Sequence, residues 1–134
     1  MQEIQIGMCQ PKRVGLALGG GAVRGAAHVS VLQVLEPEAI VPSVIAGMSA
    51  GVIVGACYAA GVTSAEMSRL FESMRWPKLA RLSWRRSLGF FDTEPLEAIV
   101  QAGIGVPTFD ELPRRFAAVA CDIMPGQRVV LETG

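Results

Sequence analysis

Between Ala39 and Ala65 lie twenty-seven consecutive residues without a formal charge. As one continuous helix such a run would be long enough to cross a bilayer. Its composition argues against continuity. Pro42, Ser43, Gly47, Ser49, Gly51, Gly55 and Gly61 punctuate it, and they predict a short strand over Ser43–Ala46, a tight turn at Gly47-Met48-Ser49-Ala50-Gly51, and a small-residue helix ending near Gly61. The run therefore reads as buried core. A similar unit precedes it. Arg13–Leu18 is a short apolar strand that ends in Gly19-Gly20-Gly21, and from Gly25 to about Glu36 the pattern is helical, with Val29, Leu32, Val34 and Leu35 available for an apolar face and Pro37 as its stop. Two successive strand-to-helix units imply a parallel sheet covered by helices, the α/β class.

Thr63 or Ser64 is placed to cap a third helix through about Met74, with Glu66 in its first turn, where the helix dipole favours negative charge. Pro77 closes it, the stretch to Phe91 is irregular or weakly helical, and Thr93-Glu94-Pro95 opens a further helix to about Ala102. Phe116–Cys121 is a buried strand, Pro125-Gly126 a turn, and Arg128–Leu131 an antiparallel partner. At 134 residues the chain is long enough for one compact domain and short for a complete α/β enzyme. An open sheet edge, and with it association of copies, is the expectation.

Charge narrows the partners. Twelve basic and twelve acidic residues cancel, so no global field points to nucleic acid. Cys9, Cys57 and Cys121 are far apart, and the chain has one histidine, His28. That excludes the usual zinc spacings and a disulfide framework, and fits a reducing, cytoplasmic compartment. Residues 1–12 lack a signal-peptide core and carry Glu3, so they read as a leader to the first strand.

Two motifs carry chemistry. Gly47-Met48-Ser49-Ala50-Gly51 has the nucleophile-elbow pattern between an apolar strand and a helix, a context that lifts a serine hydroxyl out of the sheet and aims helix N–H groups at developing negative charge. The pentapeptide by itself also suits a tight turn whose serine caps the next helix. Gly19-Gly20-Gly21-Ala22-Val23-Arg24-Gly25 offers several unpaired backbone N–H groups, as an anion or oxyanion cradle requires. A phosphate loop would need Lys then Ser or Thr after its last glycine, and Ala26-Ala27-His28 stands there instead. The dinucleotide register fails as well, since no acid ends the second strand.

Together these residues resemble the patatin-like phospholipase family, which pairs a Gly-Gly-Gly…Arg-Gly loop with a Gly-x-Ser-x-Gly elbow about two dozen residues later. The likeness extends through His28-Val29-Ser30-Val31-Leu32, Ile45-Ala46-Gly47, Tyr58-Ala59-Ala60-Gly61 and Thr108-Phe109-Asp110-Glu111-Leu112. The resemblance implies a three-layer α/β fold with a mainly parallel central sheet, of which residues 1–134 would be an incomplete, N-terminal part with its motifs in 13–134. It implies Ser49 as nucleophile, an oxyanion hole from the backbone of Gly19, Gly20, Gly21 and Ala22, and support from Arg24, Gly25, Gly47 and Gly51. No metal or organic cofactor is implied. Ala22 and Ser30 stand where the family often has glycine, so a left-handed backbone at Ala22 is disfavoured.

The family's aspartate lies in an Asp-Gly motif, and none of Asp92, Asp110 or Asp122 is followed by glycine. The expectation is that the acid falls beyond Gly134 and that this chain alone has little hydrolase activity. His28 precedes Ser49, the wrong order for an α/β-hydrolase triad, so it is assigned a structural hydrogen bond.

Residues 75–91 combine Arg75, Lys78, Arg81, Arg85 and Arg86 with Trp76, Trp84, Phe90 and Phe91 and contain no acid. Such a segment suits a phospholipid surface as well as a solvated face over core-facing rings. The functional expectation is hydrolysis of a lipid or acyl ester. The rivals are an acyltransferase, disfavoured by the lack of a histidine after Ser49, and a non-catalytic binding module.

Overall fold

A computed structural model of the chain describes residues 13–73, 101, 104, 105 and 108–134. The strands are β1 (Gly15–Leu18), β2 (Val44–Met48), β3 (Arg115–Asp122) and β4 (Gln127–Leu131). They form one four-stranded sheet in the order β1-β2-β3-β4. The first two pairings are parallel and the last is antiparallel. The helices are α1 (Ala26–Leu35), α2 (Ala50–Ala59) and α3 (Ser64–Ser73), and a 3-10 turn over Ala22–Gly25 leads into α1.

The uncharged run divides as its punctuation predicts, into β2, a one-residue corner at Ser49, and α2. Among the described residues no helix is long and apolar enough to cross a membrane. Helix α2 has little amphipathic contrast because small residues let it lie directly on the sheet, where it contacts β1, β2 and β3. One close approach is at Gly55, where a Cβ would come within 2.8 Å of the Phe116 ring. Alternation along the strands turns Leu18, Ile45, Phe116 and Ala118 into the core. The opposite face carries Val44, Met48 and Val130, each about half exposed among the described residues.

Helices α1 and α3 pack on each other and on α2. Leu32 and Met67 are fully buried there. Their ends are joined by polar groups the sequence placed well. The Thr63 N–H and hydroxyl donate to Glu66 Oε2 at 2.9 and 2.7 Å, and Glu66 N–H returns a bond to Thr63 Oγ1 at 3.3 Å. This is a capping box on α3. Glu36, at the C-terminus of α1, accepts from the buried Ser64 through its N–H at 3.0 Å and its hydroxyl at 2.5 Å. A carboxylate is thus held at the positive end of α3.

The helix expected over 93–102 and the basic aromatic stretch 75–91 lie outside the described residues, apart from Gln101.

Candidate active site

Strand register brings the two motifs together. Leu18 at the end of β1 pairs with Gly47 near the end of β2, so the triglycine loop leaves the sheet beside the corner at Ser49. A Cβ built on Gly20 would stand 3.2 Å from Ser49 Cβ. The carboxyl ends of parallel strands are where α/β folds gather their reactive groups, because loops and helix N-termini converge there.

Ser49 has φ 53° and ψ −123°, a conformation that costs a non-glycine residue about 1–3 kcal/mol. Its side chain is exposed. The corner is kept by close packing at glycine. A Cβ on Gly51 would fall on the carbonyl oxygen of Leu18, and one on Gly47 would lie 2.5 Å from the carbonyl oxygen of Gly51. Any side chain at either position would push α2 off the strand ends. Gly25 plays the same part for the other helix, with its would-be Cβ 2.5 Å from that of Ala50.

The start of α1 therefore abuts the start of α2. Neither helix has an acidic residue in its first turn, so two positive dipole ends face the space around Ser49 without an internal counter-charge. The glycine loop that leads into α1 ends in a 3-10 turn closed by Arg24 N–H to the Gly21 carbonyl at 2.9 Å. The Arg24 side chain is exposed. Ala22 takes φ 48° in spite of its Cβ. The left-handed backbone that the alanine disfavours is present because the chain must reverse between the loop and the packed start of α1. His28, from α1, reaches back to the loop, with Nε2 2.8 Å from the Gly19 carbonyl oxygen.

An apolar cavity of about 280 Å³ opens beside this corner, bounded by Ala22, Ala26, Ser49, Ile53, Val54 and Phe71. A second, more polar one of about 370 Å³ lies near Asp110, Arg115 and Glu132. Arg115 opens β3, so this cavity is at the opposite end of the sheet from Ser49.

The patatin-like phospholipase family model matches residues 16–132, which takes in both motifs and every strand but the first residue of β1. The chain belongs to the patatin-like phospholipase family. An uncharacterized NTE family protein of Mycobacterium tuberculosis is 35% identical over 130 residues, covering 91% of this chain and 34% of that protein. The chain thus spans about a third of the length of such curated relatives. A lysophospholipase NTE1 of Coccidioides immitis is 50% identical over 48 residues, 36% of this chain and 3% of that protein. Among solved structures, full-length ExoU of the Pseudomonas aeruginosa type III secretion system, crystallised with SpcU, superposes with a TM-score of 0.72. That match is 21% identical and covers 91% of this chain and 35% of that chain. The likeness is one of fold.

Within this patatin-like sheet no described aspartate meets Ser49 in a hydrogen bond. Asp122 ends β3, and its Oδ1 accepts the Met124 N–H at 3.0 Å inside the β3–β4 turn. Asp110 sits in the 3-10 turn Phe109–Glu111. Among the described residues there is no cluster of three or more His, Cys, Asp or Glu side chains fit to hold a metal.

Arg114 was not foreseen from the sequence. Its guanidinium donates to the Tyr58 carbonyl at 2.5 Å and stands 4.8 Å from the centre of the Tyr58 ring, while its N–H donates to the Ala59 carbonyl at 3.2 Å. It clamps the C-terminal end of the helix whose other end carries the elbow, with the charge sign that end prefers. No local sequence signal announces it, since its partners are 55 or more positions away.

Proposed function

We propose that this chain carries the nucleophile half of a lipid acyl hydrolase, with Ser49 as the attacking residue. The observation that carries the reading is the strained conformation of Ser49, exposed at the end of β2, beside a glycine loop and an apolar cavity. A turn whose only task was to reverse the chain would select glycine there and would hold no strain.

In the proposed course the Ser49 hydroxyl attacks the ester carbonyl as its proton passes to a carboxylate base. The resulting oxyanion is met by backbone N–H groups of Gly19, Gly20, Gly21 and Ala22 and by the first turn of α2. Collapse expels the alcohol, which takes back the proton held by the carboxyl group, and leaves an acyl-enzyme; the freed carboxylate then accepts a proton from the water that hydrolyses it. Arg24, Gly25, Gly47 and Gly51 keep the loop and the elbow in place. The apolar walls formed by Ile53, Val54 and Phe71 suit the hydrocarbon chain of a lipid ester. We assign the base to an aspartate from polypeptide that follows Gly134 in the complete protein.

Fluorophosphonate labelling of the complete protein tests this. Wild type is expected to be labelled and to hydrolyse p-nitrophenyl esters, whereas Ser49→Ala should do neither; equal labelling of the two would remove Ser49 from the chemistry. The 134-residue chain alone is expected to turn over little. Membrane contact through residues 75–91 is part of the same reading, and its check is liposome sedimentation. Binding should rise with anionic lipid and fall when the arginines there become glutamines.

A further inference from the structure

We propose that His28 is a positioning residue for the oxyanion site: its Nε2–H holds the Gly19 carbonyl and thereby aims the Gly20 N–H at the carbonyl attacked by Ser49. The inference rests on the serine reading above and adds to it a role for a side chain that motif logic left merely structural.

A carbonyl oxygen only accepts, so the 2.8 Å contact assigns the proton of the neutral ring to Nε2. In a trans peptide the C=O of one residue and the N–H of the next point in opposite directions, and none of the chain's described peptides is cis. Fixing the Gly19 oxygen therefore fixes the Gly20 N–H on the far side of the same plane. The Gly19 carbonyl oxygen lies on the α2 side, where a Cβ on Gly51 would be 2.8 Å from it, and a Cβ on Gly20 would be 3.2 Å from that of Ser49, so this peptide runs close beside the serine.

Gly19 and Gly20 both lack side chains, and a Cβ on Gly19 would touch nothing within 4 Å, so no side chain of the loop itself holds this peptide and the His28 bond is the polar contact that does. The tether comes from the third residue of α1, a helix whose start is wedged against α2 at Gly25 and Ala50. The imidazole thus transmits a rigid helix position to the most pliable part of the site.

The test has two arms. In the complete protein, His28→Ala should lower kcat by about 10- to 100-fold, less than outright loss of an oxyanion donor, with KM changed by no more than about twofold. His28→Gln, whose amide N–H can reach the same carbonyl, should recover most of kcat. A His28→Ala enzyme with wild-type kcat, or a Gln variant as impaired as Ala at an unchanged melting temperature, overturns the proposal. In the second arm, nitrogen NMR of the His28 ring in wild-type protein should show the Nε2–H tautomer, which needs no activity and no variant. An Nδ1–H tautomer refutes the tether outright. If instead Ser49→Ala keeps full activity while the Nε2–H tautomer is seen, the serine reading fails and the His28 bond remains as structure alone.

Discussion

At Ser49 backbone preference and the proposed chemistry pull in opposite directions. The residue is held at positive φ, and glycine would occupy that region without steric cost. Replacing Ser49 by glycine removes strain of about 1–3 kcal/mol against roughly 0.5–1 kcal/mol of extra chain entropy for glycine. Ser49→Gly is therefore expected to raise stability by about 1 kcal/mol while abolishing labelling, and Ser49→Ala to leave stability near wild type with the same loss of labelling. Urea titration of both reads the difference. The described cysteines split in the same local way. Cys57 is buried in α2 and burial pushes its thiol up from the ordinary value, whereas Cys121 is exposed on β3. An alkylating reagent near neutral pH should modify Cys121 and spare Cys57 until the protein is unfolded, as mass spectrometry of the digested peptides would report.

Elements are joined by contacts that fix where each helix begins. Gly51→Ala drives a methyl into the Leu18 carbonyl, and the expected outcome is a loss of about 3 kcal/mol together with loss of labelling, because the elbow cannot keep its place. The capping box on α3 has a pH signature. Bonds from the Thr63 N–H and hydroxyl hold Glu66 below its ordinary value. A carboxylate depressed in the folded state contributes stability above its unfolded value, and that contribution is lost as pH falls through the folded one. Thr63→Ala should thus cost about 1 kcal/mol near neutral pH and progressively less as pH falls and Glu66 takes up its proton; thermal melts followed across the acid range test it. Glu36 binds α1 to α3 through the buried Ser64. Glu36→Ala should cost about 1–3 kcal/mol, since Ser64 is left with buried, unmet polar groups.

Across the whole molecule, the sheet ends at β1 and β4, each with one neighbour among the described residues, and Val44, Met48 and Val130 stand half exposed on one face. The isolated chain is expected to associate at micromolar concentration, and light scattering from a monodisperse monomer would contradict that. Much of this architecture was legible because it rests on short-range physics. An apolar run ending in glycine reads as a strand meeting a tight turn, so β1, β2, α2 and the antiparallel β3–β4 pair could be read from spacing; the full burial expected of Phe116–Cys121 was not met, since Ala120 and Cys121 are exposed, and β1, at the sheet edge among the described residues, buries Leu18 alone. The capping box was half legible, as Glu66 follows Thr63 at the right interval. The Arg114 clamp and the Glu36–Ser64 bridge were not, for their partners come from distant segments and carry no periodicity. Ala22 marks the limit from the other side: local preference disfavours its φ of 48°, and the packing of two helix starts overrules it. The sequence alone determined which residues form the strands, where the chain must turn, and that a serine stands at the sharpest turn, since propensity, glycine placement and hydrophobic runs act over a few residues. Only the tertiary structure decided that the triglycine loop lies against that serine, that His28 grips the loop, and that an apolar cavity opens beside them. Those facts depend on strand register and on how closely two helices can approach, which no local pattern encodes.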